Sequence, residues 1–143
     1  MIVTTARKPS QKTRTFCKRL SKFTGWKYVT RGKSSLSAFE DGNFLLVGEN
    51  RGNPANFNFF LNGECFLSIR ANISIEADIS PGREPVIQGD SALARALADA
   101  TGFNTAGDSD RIICVGDERI EFIHKEAALI VLKLIAIRGK GFA

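Results

Sequence analysis

The chain has 143 residues, 43% of them hydrophobic and 24% charged, a balance that suits a packed core and excludes wholesale disorder. The formal net charge of +5 hides an asymmetry: residues 1–39 carry ten Lys or Arg and no carboxylate, so the rest sets ten basic residues against fifteen acidic ones. A strongly positive segment joined to a net-negative body points to a polyanionic partner, and three scattered cysteines, Cys17, Cys65 and Cys114, exclude a disulfide framework or a zinc knuckle.

Each cysteine is expected to be a small buried apolar residue in a reducing compartment. No apolar run approaches the length of about 18 residues that a membrane span needs. The start, Met1 to Pro9, turns polar too soon for a signal peptide, so a soluble, cytoplasmic protein is expected.

In chain order, Ile2-Val3-Thr4 reads as a short buried strand, followed by a loop punctuated by Pro9. Ser10 suits a helix N-cap, and Gln11 to Phe23 carry helical periodicity. Thr13, Phe16, Cys17, Leu20 and Phe23 share one face, while Lys12, Arg14, Lys18, Arg19 and Lys22 share the other. Thr24-Gly25 stops the helix. Trp26 to Thr30 reads as a strand, and Ser34 or Ser35 caps a short helix through Phe39. Asp41-Gly42 signals a turn before the apolar strand 44–48, and 50–54 reads as an irregular connection. Asn62-Gly63 between 56–61 and 65–73 is the clearest hairpin signal.

Residues 80–85, with two prolines, break the pattern and divide the chain into halves of approximately 1–79 and 80–143. A strand at Val86-Ile87 precedes a helix capped by Asp90 or Ser91 and running to about Ala100. Strands follow at 112–115 and 120–124, joined by a Gly116-Asp117 turn; Ala127–Ile137 is ambiguous, since Lys125-Glu126-Ala127-Ala128 favours a helix start, but its β-branched content and alternation after Leu132 favour a strand. Leu20 and Thr24-Gly25-Trp26 recur 77 positions later as Leu97 and Thr101-Gly102-Phe103, as two copies of one α/β unit would explain. The class is α/β or α+β.

Catalytic chemistry finds little support. The lone His124 alternates with Phe122 and Ile120 on a strand and reads as structural. Asp108-Ser109-Asp110 lacks the further ligands of a calcium loop. Arg31-Gly32-Lys33-Ser34 has the tail of a phosphate-binding loop without its upstream glycine. No catalytic residue, metal or cofactor is therefore expected.

The basic set has a more specific geometry. Arg7 and Lys8 precede a helix N-terminus, where free N–H groups and the helix dipole favour an anion. Lys12 and Arg14 lie in the first turns of that helix, Lys18 and Lys22 continue its outer face, and Ser10 adds a hydroxyl. Phe57 and Phe59 could form a base-stacking platform, but phenylalanine on a sheet face beneath helices reads better as core. Trp26 and Tyr28, beside Lys27, are expected as exposed contacts.

Two segments resemble the Brix domain, a family of ribosome-biogenesis proteins. The first is Ile2-Val3-Thr4-Thr5-Ala6-Arg7-Lys8-Pro9-Ser10 with its basic helix; the second is Asn50-Arg51-Gly52-Asn53-Pro54 with the hairpin and Phe66-Leu67-Ser68-Ile69. The match covers about the first half. It departs in the hairpin, where Phe60-Leu61-Asn62-Gly63-Glu64-Cys65 lacks the prolines usual in the family. The chain is similar to the compact archaeal type.

The resemblance implies two similar α/β halves in one Brix-like domain over 1–143, each half like the anticodon-binding domain of class II aminoacyl-tRNA synthetases. It implies a non-catalytic role in pre-ribosomal RNA processing and subunit assembly. The partners implied are ribosomal RNA or its precursor and other ribosome assembly proteins. The expected RNA-binding residues are Arg7, Lys8, Ser10, Lys12, Arg14, Lys18, Lys22, Arg31, Lys33 and Arg51. Gly52 is expected to allow close approach or a positive φ, and Pro54 to shape the backbone. A protein-interaction scaffold whose basic face binds an acidic partner is the alternative.

Overall fold

A serine begins the first helix: the Ser10 hydroxyl accepts from the Thr13 N–H at 3.2 Å, replacing a bond that a helix's first turn cannot make internally. In the computed structural model, which describes residues 1–31, 42–75 and 78–139, this helix, α1, spans Gln11–Thr24. Its buried face is Thr13, Phe16, Cys17, Leu20 and Phe23, the stripe that the periodicity predicts, together with Thr24. The expected short helix up to Phe39 and the candidate Lys33 lie outside the described residues, as does Asp41.

Among the described residues nine strands form one sheet: β1 (Ile2–Thr5), β2 (Lys27–Tyr28), β3 (Phe44–Asn50), β4 (Asn53–Leu61), β5 (Glu64–Ile75), β6 (Val86–Gln88), β7 (Arg111–Val115), β8 (Arg119–His124) and β9 (Ala127–Gly139). Their spatial order is β2-β1-β3-β4-β5-β9-β8-β7-β6. A second helix, α2 (Ala92–Thr101), is capped by Ser91. The fold is mixed α/β, a large sheet with two helices.

Apart from β2 at one edge, the order is palindromic in element type. β1 and β3 pair in parallel, as do β6 and β7; β3-β4-β5 and β7-β8-β9 are antiparallel meanders; β5 and β9 meet antiparallel at the centre. The recurring helix ends are alike in detail. Gly25 (φ 81°) and Gly102 (φ 75°) close the two helices in the left-handed region. Thr24 Oγ1 donates to Leu20 O and accepts from Trp26 N–H, and Thr101 Oγ1 does the same with Leu97 O and Phe103 N–H. The two aromatics that follow then stack on each other, with centroids 5.3 Å apart and planes 3° from parallel.

Both helices pack on one face of the sheet. Alternate strand residues supply that core, among them Leu45, Phe57, Phe59, Leu67, Ile69, Ile113, Ile120 and Leu132. Phe57 and Phe59 are thus core, as the sequence suggests. Arg111 is buried at 2% exposure. It donates to Lys22 O (2.7 Å), Phe23 O (3.0 Å) and Ser80 O, and it lies over the Phe23 ring. A cation there suits the negative end of α1. Its Nε donates to His124 Nδ1 at 3.3 Å, which gives the lone histidine a structural role.

Four expectations need correction. Trp26 is half-buried by its stacking on Phe103 and edge contact with Phe59, so it is no exposed contact, and Tyr28 is half-buried too. The strand expected over 26–30 shrinks to Lys27–Tyr28. Cys65 is exposed, not buried; all three cysteines are free. The connection at 50–54 is no irregular loop: Asn50 pairs with Asn53 across a two-residue turn, Arg51 (φ 54°) and Gly52 (φ 79°), of the kind that matches strand twist. Pro54 sits at the register shift beside Glu49, where a missing N–H is tolerated.

Candidate nucleic-acid interface

The β3–β4 turn lies against the start of α1. The Ser10 hydroxyl donates to Gly52 O at 2.6 Å, and Lys12 Nζ reaches Asn53 Oδ1 at 3.4 Å. Two segments 42 positions apart therefore form one surface. Gly52 has the positive φ expected of it.

Arg7, Lys8, Lys12, Arg14, Lys18, Lys22 and Arg51 are exposed on or beside this helix, while Arg31 is half-buried. Lys8 (φ 55°) and Arg51 (φ 54°) are held in the left-handed region, a backbone state uncommon for such residues. For Arg51 the two-residue turn itself requires this backbone. Arg19 departs from its neighbours by pairing with Asp78 at 3.0 Å.

Ser10 does more than cap. Its N–H donates to Glu49 Oε1 at 2.6 Å, so an internal carboxylate already occupies the N-terminus of α1. Hydrogen bonding from Thr13 is the largest cause that holds the Glu49 carboxyl below its usual range; burial opposes it, and hydrogen bonds from Ser10 add to the lowering. Burial, with the Glu49 charge adding, pushes the Cys17 thiol up to about 12. The sequence reading missed Glu49 because its partner lies 39 positions away and no local pattern marks it.

Beside the helix runs a groove of about 550 Å³. Lys12, Thr15 and Arg19 form one wall, Asn50 and Asn53 another, and Ala55, Ala71 and Ile73 line it with apolar surface. Cationic and amide rims around an apolar lining suit a ligand with both phosphate and planar apolar parts. Among the described residues no group of three or more His, Cys, Asp or Glu side chains could hold a metal ion. No described helix is long and apolar enough to cross a membrane.

No family model matches the chain. It is 35% identical over 160 aligned positions to a probable Brix domain-containing ribosomal biogenesis protein of Methanosarcina mazei, covering 99% of this chain and 98% of that one. A protein of the same description from Archaeoglobus fulgidus is 32% identical, with 95% of each covered. The crystal structure of Mil, an archaeal Imp4-like protein, superposes with a TM-score of 0.81 at 29% identity, over 97% of this chain and 99% of that one. A probable ribosomal biogenesis protein from Aeropyrum pernix shares the fold, with a TM-score of 0.71 at 24% identity over 93% of each chain.

Proposed function

Because the chain belongs to the family of Brix domain-containing ribosomal biogenesis proteins, we propose that it serves ribosome assembly by binding ribosomal RNA or its precursor, without catalysis. The surface used is the exposed face of α1 together with the Arg7–Lys8 loop and the Arg51 turn. The observation that carries this reading is the Ser10–Gly52 hydrogen bond, which unites the helix start and the turn in one cationic surface.

In this reading Arg7, Lys8, Lys12, Arg14, Lys18, Lys22 and Arg51 contact phosphates, Arg31 extends the surface, and Lys33 is an RNA-binding residue on the sequence alone. Ser10 is a positioning residue, since its hydroxyl and N–H are engaged with Gly52, Thr13 and Glu49. The cytoplasm as its location, a part in pre-ribosomal RNA processing, and a likeness of each α/β half to the anticodon-binding domain belong to the same proposal.

The test is a mobility-shift series with a structured ribosomal RNA fragment over a range of salt. If these seven side chains touch phosphates of a single strand, the log–log slope is about −4.9. Arg7, Lys8, Lys12 and Arg14 changed together to Ala should flatten it by about 2.8 and weaken binding. An unchanged slope and affinity overturns the assignment. Intact RNA binding with loss of an acidic protein partner would favour the scaffold reading instead.

A further inference from the structure

The sheet has a second face, and the register assigns its residues. Directly paired strand residues share a face, so Ser68 with Arg138, Arg70 with Ala136, and Lys133 with both Asn72 and Arg119 all lie opposite the helices. They alternate with the buried residues Leu67, Ile69, Ala71 and Leu132. Both described helices pack on that buried side.

Arg70, Arg119, Lys133 and Arg138 are all exposed on this face, and none of them makes an ion pair among the described residues. They cluster on β5, β9 and β8, the centre of the sheet, where rows are about 7 Å apart along a strand and about 5 Å apart across strands. Among the described residues in this register the one carboxylate is Glu121, which faces Val131. Between the cations stand amides and hydroxyls: Asn58 Oδ1 accepts from Ser68 at 2.7 Å, and Asn56 is opposite Arg70. At one end Phe60 lies half-buried, stacked on Phe44 with centroids 4.7 Å apart.

We infer that this open face is a second RNA-binding surface, which takes a single-stranded segment while the α1 surface holds another part of the same molecule. The inference rests on the RNA-binding reading for its partner, but uses none of that reading's residues. A protein-docking patch has an apolar, aromatic centre with charge at the rim. Here Ile135, 55% exposed, and Ala136 stand on β9 among the cations, but unpaired cations, amides and hydroxyls make up most of the face, and that positive, polar character is the one of nucleic-acid interfaces. A broad sheet face with half-exposed side chains also suits unstacked bases better than a duplex, whose grooves admit a helix or a narrow ribbon.

The experiment uses the full chain, a 12-nucleotide single-stranded RNA, a hairpin RNA carrying that segment as a tail, and polyglutamate. Three variants are compared: Arg70→Gln/Lys133→Gln/Arg138→Gln on the sheet, Lys12→Gln/Arg14→Gln/Lys18→Gln on α1, and both sets combined. The sheet variant should bind the tailed hairpin roughly tenfold more weakly and flatten the salt slope by about 2, with the combined variant weaker than either. Lys133→Glu alone should act in the same direction, and Arg70→Lys/Arg138→Lys should retain binding, which separates charge loss from misfolding. Sheet variants that match wild type on both RNAs overturn the inference, and if the α1 variant still weakens binding the first reading stands. If neither set matters, both fail. Loss of polyglutamate binding with RNA binding unchanged assigns the face to an acidic protein and overturns it as well.

Discussion

Glu49 decides how the start of α1 behaves. An exposed basic loop before a helix would leave that N-terminus open to any anion; here a carboxylate from β3 already bonds Ser10 and Thr13. Its pKa is lowered in the folded chain, so its contribution to stability is fully present above the unfolded value, near 4.5, and is lost as pH falls through the folded one. Glu49→Gln should therefore lower Tm at pH 7, with the gap to wild type narrowing once the pH drops below that carboxylate range. Thermal melts of both proteins from pH 7 to pH 3 check this; a constant gap would show that the charge of Glu49 plays no part. At this scale the cations of α1 were legible in the sequence, because a periodicity of 3.6 is local and sorts Lys12, Arg14, Lys18 and Lys22 from Phe16, Leu20 and Phe23. Glu49 was not, because it acts across 39 positions. Arg111 was illegible for the same reason: nothing around it announces that it will bond carbonyls 88 and 89 positions back.

The elements repay comparison in pairs. Both helices end in the same sequence of Thr, Gly and aromatic, with the same three hydrogen-bond roles. A Cβ added to Gly25 or Gly102 would meet no atom within 4 Å, so any cost of Ala there comes from the left-handed backbone alone. Gly25→Ala and Gly102→Ala should each destabilise by about 1 kcal/mol, and by similar amounts, in urea denaturation. A large difference between them would show that the two ends are alike only in outline. The recurrence itself was readable because its landmarks are short-range signals: a cap, an i to i−4 threonine bond, a glycine stop. The Arg51-Gly52 turn was less so, since Asn50, Gly52, Asn53 and Pro54 are all turn formers and do not say which two residues turn. β9 was ambiguous because its first residues favour a helix; pairing with β5 on one side and β8 on the other settles it as a strand.

Across the whole molecule, the contacts that matter most join the first run of elements to the second. Arg111, on β7, bonds the last carbonyls of α1; Phe23 of α1 meets the Phe122 ring of β8 at 5.3 Å; Trp26 stacks on Phe103. β5 and β9 meanwhile pair from Leu67 with Gly139 to Ile75 with Ile130. Helix ends and sheet centre are thus shared, and neither run can lose its order without leaving buried groups of the other unpaired. Unfolding should then be a single cooperative transition. The chain carries one tryptophan, and it sits at the junction, so its fluorescence reports the Trp26–Phe103 stack while far-UV circular dichroism reports the strands and helices. The two urea curves should superimpose, with one midpoint and one slope. A fluorescence change that precedes the loss of secondary structure would mean that the junction opens while the sheet persists. The α1 surface and the open sheet face could then move relative to each other, and a rigid two-sided hold on one RNA would no longer follow.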